Sequence, residues 1–136
     1  MKYAALEWRD GQPYSPEYDD IYYSKAGGCS ESEYVFIKQN NLQERWAYAE
    51  QFIVAETGFG TGLNFILTLK SWVETASKDA CLHYIGIEKH PVSPDDIRRL
   101  AELFPDLSSY FEELLSIYPL PVEGVHTRTL LDGRVY

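Results

Sequence analysis

Phe52 to Phe65 reads FIVAETGFGTGLNF. An apolar run rich in β-branched residues ends in a carboxylate, Glu56, and Gly58, Gly60 and Gly62 then alternate with Phe59 and Thr61. Glycine has no Cβ, so it accepts positive φ and lets a ligand lie against the backbone. QFIVAE is short and β-branched, which suits a buried parallel strand. In GLNFILTLKSWVETA, residues Leu63, Ile66, Leu67, Leu69, Trp72 and Val73 recur at helical spacing, so a helix begins within the glycine loop. A glycine turn between a strand's carboxyl end and a helix makes a floor for a nucleotide-like ligand. The register is G-x-G-x-G, not the dinucleotide G-x-G-x-x-G. No Lys-Ser or Lys-Thr follows, which excludes a P-loop.

Downstream, CLHYIGIE reads as a second buried strand, ended by Pro91 and Pro94. Ser93 or Asp95 can cap a helix through DDIRRLAELF. A further helix runs through LSSYFEELLSIY, and Asp-Gly in HTRTLLDGRVY signals a hairpin. Upstream, YAALEWRDGQPYSPEYDDIYYS mixes turn signals with aromatic runs and predicts irregular chain with two short strands. Ser30-Glu31-Ser32-Glu33 has the form of a capping box, ahead of one or two helices over residues 32–49 broken near Asn40-Asn41. Strand–helix alternation calls for an α/β fold with a parallel sheet and right-handed crossovers. The expected organisation is an N-terminal extension of short strands and helices over residues 1–50, then the first half of a doubly wound, Rossmann-like domain over residues 51–136. That domain is expected to be truncated at its C-terminal side. An open parallel edge would favour pairing with another chain, so self-association is expected.

Composition narrows the partners. The chain has 136 residues, 45% hydrophobic and 24% charged, and a net charge of −9. These are values of one globular domain. Its apolar runs fall short of the ~20 residues that span a bilayer, and no leader pattern opens it, so the expected compartment is the cytoplasm. Cys29 and Cys81 form no CxxC, and His83, His90 and His126 lack ligand spacing, so no metal is expected. Lys and Arg are scattered, with Arg98-Arg99 an adjacent pair, so the chain alone is expected to bind RNA weakly or not at all.

The pattern E-x-G-x-G-x-G resembles the first motif of class I S-adenosylmethionine-dependent methyltransferases. In that family the loop passes under the ribose and methionine of the cofactor, the motif's acid helps receive its ammonium end, and an acid ending the second strand takes both ribose hydroxyls. Glu88 stands where that acid belongs, 88 − 58 = 30 residues past the first glycine. A carboxylate suits a diol because each oxygen can accept a hydrogen bond. Lys89 and His90 would then flank the adenine. The candidate cofactor residues are therefore Glu56, Thr57, Gly58, Phe59, Gly60, Thr61, Gly62, Asn64, Glu88 and Lys89.

ETGFGTGLNF, together with PYSPEYDDIYYS (Pro13–Ser24), ESEYVFIKQNNL and IGIEKHP (Ile85–Pro91), resembles more closely the methyltransferase domain of the tRNA 5-methylaminomethyl-2-thiouridine biosynthesis (MnmC) family. The ending LPVEGVHTRTLLDGRV fits the same family. The resemblance implies methyl transfer from S-adenosylmethionine to the amine of 5-aminomethyl-2-thiouridine at the tRNA wobble position. It also implies a fused or partner FAD-dependent oxidoreductase domain in many members. The family's expected catalytic Asp would lie beyond Tyr136, so no catalytic residue is assigned. Asp19, Asp20, Tyr22 and Tyr23 are either lining for the substrate side or an Asp-rich turn with packed tyrosines. Two other readings stand beside this one: an inactive nucleotide-fold remnant acting as a binding module, and a fragment of an NAD-type oxidoreductase.

Overall fold

The computed structural model describes residues 1–23 and 27–136. Ser24, which closes the PYSPEYDDIYYS stretch, lies outside the described residues. Three short antiparallel strands open the chain: β1 (Glu7–Arg9), β2 (Gln12–Ser15) and β3 (Asp20–Ile21), in the order β1-β2-β3. Asp10 and Gly11 both have positive φ, the signature of a type I′ hairpin turn between β1 and β2. The sequence predicted two strands here; β3 is the addition, pairing Tyr14 with Ile21.

A helical segment follows as α1 (Gly28–Ser32), a π-helical stretch (Glu33–Lys38) and α2 (Leu42–Trp46). The expected capping box does not cap. The helix already begins at Gly28, so Ser30 and Glu33 lie beyond its start, and Gly27 at the N-cap makes no side-chain cap. The predicted break near Asn40-Asn41 is present. Asn41 turns left-handed, and the Asn40 side-chain amide donates to the Phe36 carbonyl at 2.8 Å.

β4 (Gln51–Thr57) and β5 (Cys81–Ile87) run parallel, with α3 (Leu63–Thr75) as the crossover between them. The register places Val54 opposite Tyr84 and Glu56 opposite Gly86. Ser93 caps α4 (Pro94–Ala101) by accepting from the Asp96 amide at 3.1 Å. This helix ends at Ala101, short of the predicted Phe104, and α5 (Ser108–Ile117) follows after a 3-10 turn. The expected C-terminal hairpin shrinks to one antiparallel bridge, Leu130 with Val135, and Val135 also bridges Leu82 in parallel. Amides of Leu82 and Tyr84 donate to carbonyls of Arg134 and Tyr136, so the chain's last residues extend the parallel pairing beside β5.

The core gathers around α3. Its residues Phe65, Ile66, Leu69 and Trp72 are buried against Val54, Leu82, Phe111 and Leu114. Trp46 packs edge-on against Trp72 at 5.2 Å and donates to the Thr75 hydroxyl at 2.8 Å. Among the described residues, only one face of the β4–β5 pair is covered. Ile53, Ile85 and Ile87 stay 64%, 51% and 60% exposed, which corrects the expectation of strands buried on both sides. Apolar runs alone do not say how many faces are covered. Among the described residues, no helix is long and apolar enough to cross a membrane.

Candidate functional site

The carboxyl ends of β4 and β5 and the start of α3 meet at the glycine turn. Gly58, Gly60 and Gly62 all adopt the left-handed region, with φ of +77°, +55° and +79°. Amides of Gly58 and Phe59 donate to the Ile87 carbonyl at 2.8 and 3.1 Å, so the turn leans onto the end of β5. The Phe59 ring folds beneath the turn. A Cβ on Gly86 would come within 2.4 Å of that ring, and a Cβ on Gly62 within 3.1 Å. Phe59 also meets Phe65 and Tyr84, with ring centroids 6.0 and 6.5 Å apart. It supports the floor from below. Above the turn there is room among the described residues: a Cβ on Gly58 would meet nothing within 4 Å, and one on Gly60 would lie 3.9 Å from the Gly58 carbonyl oxygen and from the Tyr22 ring.

Two carboxylates border this turn and are held differently. Glu56, 8% exposed, accepts from the Tyr84 hydroxyl at 2.6 Å and from the Asn64 side-chain amide at 3.0 Å. Burial raises its pKa; the bonds from Tyr84 and Asn64 oppose that rise, and the nearby charge of Glu88 adds to it. Glu88, partly buried just past β5, accepts from two backbone amides, Gly60 and His90, each at 2.7 Å. It thereby ties the middle of the glycine turn to the chain leaving β5. Tyr22 and Tyr118 stand within electrostatic reach of Glu88. Burial raises the pKa of both, Tyr118 to about 12, and the charge of Glu88 adds to each rise.

The predicted site residues separate into groups. Glu56, Gly58, Gly60, Asn64 and Glu88 come together around the turn. Thr61 and Gly62 are there but buried, and Thr57 falls on the sheet's uncovered face, the opposite one to Glu56. Lys89 is exposed; His90 is partly buried, with its ring nitrogen 3.7 Å from the Glu17 carboxylate. Of the upstream residues, Tyr22 lies against the turn, whereas Tyr23 is buried against Phe104 with ring centroids 5.4 Å apart. Asp19 receives the Tyr14 hydroxyl, and the Asp20 carboxylate accepts from the Ile21 amide. Sequence reasoning missed Tyr84, Gly86 and Tyr118. Counting by twos back from Glu88 would have found Gly86 and Tyr84 on one strand face, but pairing them with Glu56 needs the register. A groove of about 140 Å³ runs along β4 between Phe36, Arg45 and Ile53, and neither acid lines it.

Fold and site together define an α/β protein whose parallel strands deliver two acids to a glycine turn open on one side. No family model matches the chain. The tRNA 5-methylaminomethyl-2-thiouridine biosynthesis bifunctional protein MnmC of Legionella pneumophila strain Lens is 44% identical to it, over 97% of this chain and 21% of that protein. The proteins of the same name from Methylobacillus flagellatus and Aeromonas hydrophila are 42% and 38% identical, over 97% and 99% of the chain. The crystal structure of MNMC2 from Aquifex aeolicus shares the fold, with a TM-score of 0.63 at 21% identity over 99% of this chain and 41% of that one. The chain is thus a homologue of the MnmC proteins along nearly its whole length, and it spans about a fifth of theirs.

Proposed function

We propose that this chain is the cofactor-holding part of an S-adenosylmethionine-dependent tRNA methyltransferase. The reaction would convert 5-aminomethyl-2-thiouridine at wobble position 34 to 5-methylaminomethyl-2-thiouridine. One observation carries the reading: two acids at adjacent strand ends border a glycine turn whose ligand side is open at Gly58. The residues present fit the cofactor. Glu56 offers a buried negative charge to a cationic amino group, and Glu88 offers two oxygens to a diol. The cofactor supplies a methyl group on a positively charged sulfur. The chain's own part is to hold and orient, which is the larger share of a transfer between aligned partners. On this reading residues 51–136 are the first half of a Rossmann-like methyltransferase domain and residues 1–50 an extension that brings Tyr22 to the turn. RNA contacts and an FAD-dependent partner domain would come from outside these residues, in keeping with the net charge of −9.

The test is calorimetric titration of S-adenosylmethionine into the chain, with Glu88→Ala alongside and NAD as control ligand. Wild type should bind S-adenosylmethionine in preference to NAD. Loss of the Glu88 contact should weaken binding by ~1.5–3 kcal/mol, the range for hydrogen bonds to a charged group. Preference for NAD would replace the reading with an oxidoreductase. A folded chain that binds neither would leave a module without cofactor chemistry.

A further inference from the structure

A polar cluster lies under the glycine turn. Glu56 has both oxygens engaged, one by the Tyr84 hydroxyl at 2.6 Å and one by the Asn64 amide at 3.0 Å, and it is nearly closed off from solvent. Tyr84 is itself fixed. Its ring stands edge-on to Phe65 with centroids 4.9 Å apart, and it meets Phe59 beneath the turn. Burial, then the charge of Glu56, keeps the Tyr84 hydroxyl protonated, so toward this carboxylate it can only donate. Asn64 stands in the first turn of α3 directly after Gly62 and Leu63, so the second donor is delivered by the helix that the glycine turn starts.

We infer that Tyr84 is a positioning residue for Glu56, holding its carboxylate in one fixed, cation-accepting orientation toward a ligand seated on the glycine turn. The inference rests on the cofactor reading above. An acid that receives an ammonium group must be ionised and correctly turned. Burial opposes ionisation of Glu56, as does Glu88 on the segment leaving β5. Tyr84 from β5 and Asn64 from α3 favour it. A carboxylate has about four lone-pair sites, so two internal donors leave acceptor capacity for a ligand.

The test uses Tyr84→Phe, which keeps the ring and removes the donor, with Asn64→Ala as a second variant on the other oxygen. Two quantities are measured: the titration of the Glu56 carboxyl carbon by NMR in the free chain, and the pH dependence of binding. The binding ligands are S-adenosylmethionine and 5′-methylthioadenosine, which lacks the amino-acid end. In Tyr84→Phe, Glu56 should titrate higher than in wild type, and S-adenosylmethionine affinity should fall up to about tenfold on the acid side, the scale of one hydrogen bond to a charged group. The loss should shrink as pH rises, and 5′-methylthioadenosine binding should not change. A titration unmoved by both variants, with binding intact, overturns the Tyr84 inference alone. So does an equal weakening of both ligands at every pH, which is what a merely structural role gives. A wild-type chain that binds neither ligand overturns the cofactor reading, and the positioning role falls with it.

Discussion

Gly62 and Gly58 have nearly the same backbone angle, φ of +79° and +77°, and opposite surroundings. A side chain on Gly62 would press into Leu114 at 2.8 Å and into the Phe59 ring. A Cβ on Gly58 would meet nothing within 4 Å among the described residues. The acids divide in the same way. Glu56 is buried and held by side chains, whereas Glu88 is half-buried and held by backbone amides. One side of the turn is therefore built by packing, and the other is kept clear. The same residue type is needed on both sides for different physical reasons.

Substitutions can separate those reasons. Gly62→Ala combines two penalties, ~1–2 kcal/mol for a left-handed alanine and ~1–3 kcal/mol for overpacking against Leu114 and Phe59. It should be the most destabilising change at the turn, read as a lower urea midpoint at unchanged slope. Gly58→Ala carries the backbone penalty alone, ~1–2 kcal/mol. Its added methyl intrudes on the ligand side, so it should lose S-adenosylmethionine affinity beyond its loss of stability. Equal stability losses at the two positions would erase the distinction between packed and open sides.

Much of this was legible in the sequence, and the limits are instructive. The strand, the turn, the start of α3 and the Ser93 cap follow from local chemistry: β-branched runs, glycine spacing, helical periodicity and a hydroxyl before Pro94. Gly86 was not legible. Its lack of a side chain makes room for Phe59, which arrives from another strand end, and sequence spacing carries no register. The capping box failed for a related reason. Ser30-Glu31-Ser32-Glu33 has the local form, but the helix starts earlier at Gly28, whose buried backbone packs on Tyr23. The isoleucines of β4 and β5 misled about burial because alternation within an apolar run does not show whether the second face is covered. In the candidate site, Glu56, Asn64 and Glu88 were readable as residue types at strand and helix ends. The bond from Tyr84 to Glu56 depends on pairing β5 with β4 and was not.

The buried acid also makes a prediction that does not depend on any ligand. Burial raises the Glu56 pKa in the folded chain, while in the unfolded chain it titrates as an ordinary carboxylate near ~4.3. Between those two values the native state holds more protons than the unfolded one, so stability falls as pH rises. The favourable contribution of Glu56 is complete below the ordinary carboxylate range and is lost as pH climbs through its folded value. Each unit of difference is worth about 1.4 kcal/mol. Glu56→Gln removes the titration and leaves a carbonyl to accept from Tyr84. It should flatten the stability profile across that window and gain on wild type above it, measured by urea unfolding from about pH 4 to about pH 8. Parallel profiles would mean that the two donors already offset burial. A gain at neutral pH would mark Glu56 as a residue that lowers stability in the folded chain, as a charge kept under the turn for a cation would.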